Sequence, residues 1–246
     1  IYGILNSNIP EFHNNGDVCM FEIPKNDSGV NDDMVVEVVK MLITSVLPAN
    51  GYKRYKVIVP QKSKDVATGC GWNRLNRELQ AVLNPSMPGK FEIRWFQDVL
   101  REGDTLIWTK NNRDLELMNG DEVQVVGIDY IDDKTLVRLS NGHKVELDDL
   151  TAVHGYACTT HKAQGSEYDA VILVCVGAHR YMLTQSNVFT ACSRAKKALF
   201  IVGERQALKM ASRNTRDKHR RTSLQAFLKE LATSEEEGGD EHAVCA

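Results

Sequence analysis

The stretch TTHKAQGSEYD, residues 159–169, lies between two apolar runs, TAVHGYAC (151–158) and AVILVCV (170–176). A loop carrying hydroxyl, imidazole, ammonium, amide and carboxylate groups is thus flanked by two segments of strand length. The second run does not alternate polar with apolar residues. Continuous Val, Ile and Leu is what a parallel sheet needs when both of its faces are covered. Loops at the carboxyl edge of such a sheet are where α/β domains bind ligands, and Gly165 would let the backbone approach a phosphate closely.

Working outward toward the C-terminus, FTACSRAKKALFIVG (189–203) reads as the end of a helix spanning about 183–195 and a buried strand over 198–203. Arg194 stands between them, where a guanidinium can be held rigidly at the sheet edge. Arginine suits a developing phosphate charge, because its planar fork donates in fixed geometry and stays ionised. Helices are expected over 204–211 and 222–231. Toward the N-terminus, 18–23 reads as a strand and MVVEVVKMLITSVLP (34–48) as a helix opened by Asp32 or Asp33 and stopped near Pro48. YKVIVP (55–60) is a short buried strand. GWNRLNRELQAVL (71–83) has its apolar residues at helical spacing and is closed by Asn84-Pro85.

Residues 103–150 have a different texture. DTLIWT, EVQVVGI, TLVRL and KVEL are short strand-like runs, separated by turn signals at Asn119-Gly120, Asp132-Asp133 and Asn141-Gly142, the last read as a two-residue hairpin turn. Such a segment makes a small barrel rather than part of a parallel sheet. Its core is expected to hold Leu106, Val123, Val125, Val137, Leu139 and Val145. The whole reads as an α/β parallel-sheet domain over 1–102 and 151–233, a small all-β barrel inserted at 103–150, and a disordered acidic tail at 234–246.

Charge and cysteine usage narrow the class. The net charge of −3 hides an asymmetry: the last thirteen residues hold five acids and no Lys or Arg, which leaves the rest slightly positive. Residues 194–221 concentrate ten Lys and Arg against Glu204 and Asp217, a cluster that suits a polyanion or else a solvated helix face. The six cysteines include no C-x-x-C pair and no histidine at metal-ligand spacing, so reduced thiols and no zinc are expected. No stretch approaches the ~18 apolar residues of a membrane span. A soluble, intracellular protein, cytoplasmic or in the nucleoid or nucleus, is the expectation.

Together the loop at 159–169 and the helix-to-strand segment ending at 203 resemble motifs V and VI of superfamily-1 helicases, closest to the RecD-like branch. Residues 57–85 resemble that family's strand, glycine-containing loop and LN..LQ..LNP helix, and 103–128 the start of its Src-homology-3-like barrel. The resemblance implies a RecA-like second motor domain with that barrel inserted. It implies that Gly165 lies against the terminal phosphates of ATP, that Glu167 meets the ribose, that Gln164 sits beside the nucleotide, and that Arg194 is the arginine finger. Thr159, Thr160, His161 and, less directly, Lys162 would contact the backbone of single-stranded DNA, with travel from 5′ to 3′. Phe189 stands where the family commonly has Tyr, and Cys192-Ser193 where it has Leu-Thr.

No G-x-x-x-x-G-K-[ST] occurs, since Gly89-Lys90 is followed by Phe91, and no strand offers a Walker B acid for Mg²⁺. The chain is therefore expected to work with a first RecA-like domain that supplies the ATP and Mg²⁺ contacts, and to bind neither alone. Two competing readings are a vestigial nucleic-acid-binding module without catalysis and a protein adaptor built on the barrel. DNA and RNA stay open, because backbone and stacking contacts tolerate both.

Overall fold

The computed structural model describes residue 4 and residues 17–26, 29–60 and 69–219. The chain divides after Asn214. Of the second unit only 215–219 are described, a short 3₁₀ turn over Arg216–His219. The helix expected at 222–231 and the acidic tail at 234–246 lie outside the described residues.

In the first unit, strand β1 (Val18–Glu22) leads through the two-residue strands β2 (Lys25–Asn26) and β3 (Gly29–Val30) into helix α1 (Asp32–Met41). The helix is capped one residue earlier than expected: Asn31 Oδ1 accepts the Met34 N–H at 3.1 Å. That leaves Asp32 and Asp33 in the first turn, where carboxylates favour the helix dipole. The helical run stops at Ala49, near Pro48 as expected, and Pro48 also reshapes its last turns. Having no N–H to give, it leaves the preceding turn to widen over Leu42–Val46, where Leu47 N–H bonds to Leu42 O five residues back. Strand β4 (Tyr55–Val59) and helix α2 (Trp72–Leu83) follow.

Then comes a hairpin, β5 (Glu92–Trp95) and β6 (Asp98–Arg101), that sequence patterning did not single out. The strands β7 (Thr105–Trp108), β8 (Glu122–Ile131), β9 (Lys134–Leu139), β10 (Lys144–Glu146) and β11 (Ala152–His154) form an antiparallel sheet in the order β10-β9-β8-β7-β11. All six residues expected in its core are buried, joined by Trp95, Leu100 and Trp108. Asp132 and Asp133 both take positive φ in the tight β8–β9 turn, as a type I′ hairpin requires. The loop at Asn141-Gly142 is one residue longer than expected: Leu139 N–H reaches His143 O across Ser140, Asn141 and Gly142, with Gly142 at φ +89°.

The run from 151, read above as one segment of strand length, is two strands in two sheets. β11 pairs antiparallel with β7, whereas β12 (Ala157–Thr159) pairs parallel with β4. Gly155 makes the crossing possible, since a Cβ there would lie 3.0 Å from Ile107 Cγ1 and 3.2 Å from the Leu106 carbonyl carbon. β13 (Tyr168–Cys175), helix α3 (Gln185–Cys192), β14 (Ala195–Gly203) and helix α4 (Arg205–Arg213) complete the unit. The main sheet is wholly parallel, ordered β1-β14-β13-β4-β12. Along β13, Ile172 and Val174 pack toward α1 and α2, while Val171 and Leu173 pack toward α3 and α4. Both faces are covered, which accounts for the uninterrupted apolar run. The result is the expected doubly covered parallel sheet beside a small β-barrel.

Helix α2 also closes the sheet's edge. Asn76 donates to Ala157 O at 3.1 Å and accepts the Ala157 N–H at 3.0 Å, and Trp72 Nε1 donates to the same carbonyl at 2.7 Å. The edge strand β12 is thereby supplied with side-chain partners on the side where the described residues place no further strand. No helix among the described residues is long and apolar enough to cross a membrane. The five cysteines among them are free and buried, and burial pushes the Cys158 thiol up to about 12.

Where the chain enters and leaves the small sheet, one carboxylate gathers both arms. Asp104 is fully buried. Its Oδ1 accepts from Asn84 Nδ2 and the Tyr156 hydroxyl, each at 2.7 Å, and its Oδ2 accepts from Gln80 Nε2 at 2.7 Å and the Arg101 N–H at 2.8 Å. His154 Nε2 lies 3.3 Å from Oδ2. Burial alone would raise this carboxyl, but the hydrogen bonds from His154, Tyr156, Asn84 and the Arg101 N–H hold it below its ordinary value. A carboxyl depressed in the folded state contributes stability that is complete above its unfolded value, about 3.9, and is lost as pH falls through the folded one. Asp104→Ala, which strands these buried donors, is expected to cost about 3–5 kcal/mol in urea unfolding at pH 7. Asp104→Asn should also be destabilised there and should lose part of the wild type's stability gain between acid and neutral pH.

Candidate nucleotide and nucleic-acid site

The loop after β12 is a tight coil. Lys162 N–H and Ala163 N–H both return to Thr159 O, at 3.0 and 3.1 Å, and Gln164 N–H returns to His161 O at 3.3 Å. Winding at about three residues per turn sends every third residue the same way. Thr160 and Ala163 are therefore buried, while His161 and Gln164 are exposed. Gly165 ends the coil at φ +83° with nothing within 4 Å of where a Cβ would stand, so it presents bare backbone to open space. Thr159 and Lys162 are half-buried, and Lys162 Nζ stands 5.9 Å above the Trp72 ring centroid. The Thr160 hydroxyl donates to Asn187 Oδ1 at 2.8 Å, so its side chain binds the coil to helix α3 and does not face outward.

Arg194 lies directly beside this coil. Its Nε donates to Thr190 O at 3.1 Å, one terminal nitrogen to Ser166 O at 3.2 Å and the other to Ser193 Oγ at 3.0 Å. Its own carbonyl accepts the Tyr168 N–H at 2.9 Å. A guanidinium has five N–H groups, so the three bonds position it and leave donors over for an anion. Glu167 is half exposed and sits 2.7 Å from Lys196, whose ammonium holds the carboxyl below its usual value. The coil leaves β12 at the carboxyl edge of the sheet, as expected, but delivers Glu167 to the amino-terminal ends of β13 and β14, where Arg194 stands, with Gln164 and Gly165 leading up to them. Thr159, His161 and Lys162 are on the same coil.

Several positioning residues carried no signal in the sequence. Asn187, Ser166 and Lys196 hold Thr160, Arg194 and Glu167, and their roles come from the packing of α3 and β14 against the coil. Lys56 is buried with its ammonium 3.0 Å from Glu122 and 2.8 Å from Gly155 O. Tyr168 donates to the same Glu122 at 2.8 Å. Barrel strand β8 is thereby tied to β4 and β13 directly beneath the coil. Between the barrel turn at Asn119–Asp121 and the coil at His161–Ser166 lies a cleft of about 410 Å³. Among the described residues no group of His, Cys, Asp and Glu could hold a metal ion.

Because Gly165 has room but an unfavourable φ for any other residue, Gly165→Ala should cost only backbone strain. About 1–2 kcal/mol is expected in thermal unfolding, without a packing defect. A loss above about 3 kcal/mol would show that the space seen around it is filled.

Comparison with known proteins agrees with this architecture. Residues 75–139 match the family described as the ATP-dependent RecD-like DNA helicase SH3 domain, and residues 154–202 match the UvrD-like helicase C-terminal domain. The ATP-dependent RecD2 DNA helicase of Deinococcus radiodurans is 31% identical over 190 residues, covering 72% of this chain and 26% of that protein. The RecD subunit of the RecBCD enzyme of Haemophilus influenzae is 27% identical over 165 residues, covering 65% of the chain and 23% of that protein. The chain thus spans about a quarter of the length of these relatives. The resemblance to RecD-like helicases is borne out: this chain belongs to that family and carries a RecD-like helicase SH3 domain joined to a UvrD-like helicase C-terminal domain.

Proposed function

We propose that the chain is the second RecA-like motor domain of an ATP-dependent DNA helicase, interrupted by its Src-homology-3-like barrel, and that it works against a first motor domain to move along single-stranded DNA. The observation that carries this reading is the juxtaposition of Arg194, Gly165 and Glu167 where the coil leads up to β13 and β14, on the same short coil as Thr159, His161 and Lys162. Nucleotide-facing and strand-facing groups a few residues apart on one rigid coil are what a motor needs to couple the state of one ligand to its grip on the other. A vestigial binding module has no use for a guanidinium braced by three hydrogen bonds beside an open glycine.

In this reading ATP, held with Mg²⁺ mainly by the first domain, supplies the free energy of phosphoryl transfer. On this side Gly165 offers a backbone surface without a Cβ. Gln164 lies beside it, Glu167 offers an ionised carboxylate to ribose hydroxyls, and Arg194 turns its remaining N–H groups toward the phosphates. Thr159, His161 and Lys162 take the strand backbone, Thr160 by its main chain because its hydroxyl is engaged with Asn187. The chain alone, lacking a phosphate cradle, hydrolyses no ATP but retains weak, salt-sensitive single-strand binding.

The test is Arg194 in the complete enzyme. A finger in this role is worth about 10³ to 10⁵ in turnover. Arg194→Lys should therefore fail nearly as badly as Arg194→Ala, since an ammonium reproduces neither the fork nor its reach. Single-strand affinity without nucleotide should hardly change. Steady-state ATPase assays in which Arg194→Lys keeps more than about a tenth of wild-type turnover would remove Arg194 from the role.

A further inference from the structure

The hairpin β5–β6 carries a feature that the helicase reading leaves unused. Trp95 pairs with Asp98, so Phe96 and Gln97 form a two-residue turn. Phe96 takes φ +54°, a region where such turns favour Gly, Asn or Asp and where a bulky aromatic is an outlier. It is also 78% exposed, the most exposed large apolar side chain among the described residues. A large ring is thus held out in water on a backbone that a smaller residue would suit better. Strain of this kind persists where a function needs the side chain.

Phe96 overhangs a groove of about 410 Å³ between the hairpin, the first turn of α2 and β11. Trp72 and Trp95 form its aromatic walls, with Trp95 ring to ring with Phe96 at 6.0 Å and edge-on to His154 at 5.3 Å. Asn73 and Gln97 supply amides, while the Asn76 amide behind them is taken up by Ala157 and Trp72. The groove's one carboxylate, Asp98, is ion-paired with Arg77. At the Trp72 end the groove runs up to the coil, where the Lys162 ammonium stands over the indole.

We propose that this groove binds the bases of the single strand, with Phe96 stacking on a base while the coil at 159–162 holds the backbone. Aromatic faces beside a cationic track are the chemistry of sequence-tolerant single-strand binding, because every base has a π-face. The amides match the polar edges of bases, and the neutralised carboxylate removes the repulsion a phosphate chain would meet. The proposal rests on the reading of the coil as a strand-backbone site, and it extends the strand's path from the motor sheet onto the hairpin.

The test uses the full chain and a fluorescently labelled oligothymidylate, with Kd measured by anisotropy across a salt titration, alongside thermal unfolding. Phe96→Gly is expected to weaken binding about 5- to 100-fold and to leave its salt dependence unchanged, because no phosphate contact is lost. The same variant should melt about 2–4 °C higher, since glycine relieves the positive φ. Phe96→Trp should keep most of the affinity. Lys162→Ala should instead reduce the salt slope. If Phe96→Gly binds within twofold of wild type while Lys162→Ala weakens binding, the groove is off the strand's path and the proposal falls, with the coil assignment intact. If the wild-type chain fails to bind the oligonucleotide even at low salt, the coil assignment falls and the groove proposal with it.

Discussion

A small sheet that leaves a larger one and returns to it must anchor both of its arms at the same place. Here the anchor is a single ionised carboxylate without access to water. Asp104 stands at the outgoing arm; His154 and Tyr156 belong to the returning arm; Gln80 and Asn84 come from the end of α2, beneath both. Burying a charge is costly unless each lone pair is used, so these partners have little freedom to rearrange singly. The carboxylate fixes where β7 begins and where β11 ends. Through Tyr156 it also fixes the register in which β12 sets out along β4. The coil starts from the end of β12, so the placement of Thr159 to Gly165 depends on a group that belongs to neither of the proposed ligand sites.

Above that anchor the coil is held by parts that serve it alone. Ala163 buries one side of it, Thr160 binds it to α3 through Asn187, and Arg194 closes it by bonding Ser166 O. What is left exposed is a glycine and a few polar side chains on a rigid support. This matches the general need of recognition sites, in which groups must be held within a fraction of an ångström before the ligand arrives.

Much of the fold was legible because local and global demands agree. The unbroken apolar run at 170–176 needs cover on both faces and receives it. The alternating runs at 122–139 each put one set of residues inward, so that Val123, Val125, Val137 and Leu139 join Leu106 and Val145 in the core as expected. The failures occur where tertiary context outweighs pattern. The run from 151 looks like one strand because both halves are apolar; only the close approach of Gly155 to Ile107 reveals the change of sheet. The β5–β6 hairpin was missed because its turn, Phe96-Gln97, carries none of the usual turn residues. Pro48 signalled the helix end correctly, but not the turn of wider pitch that precedes it. At the site, the motif residues were visible as a polar loop between apolar runs. Asn187, Ser166 and Lys196 were not, because nothing local distinguishes a side chain that will meet the coil from one that will meet water.

The pairing of Lys56 with Glu122, with Tyr168 donating to the same carboxylate, has a mechanical consequence. Because Lys56 also bonds Gly155 O and Tyr156 bonds Asp104, this pairing and the Asp104 cluster meet at the crossing between the two sheets. Parting the sheets there would leave several buried polar groups without partners at once, each at a cost of about 1–3 kcal/mol. The junction is therefore a seam and not a hinge, and the small sheet and the parallel sheet are set to behave as one body.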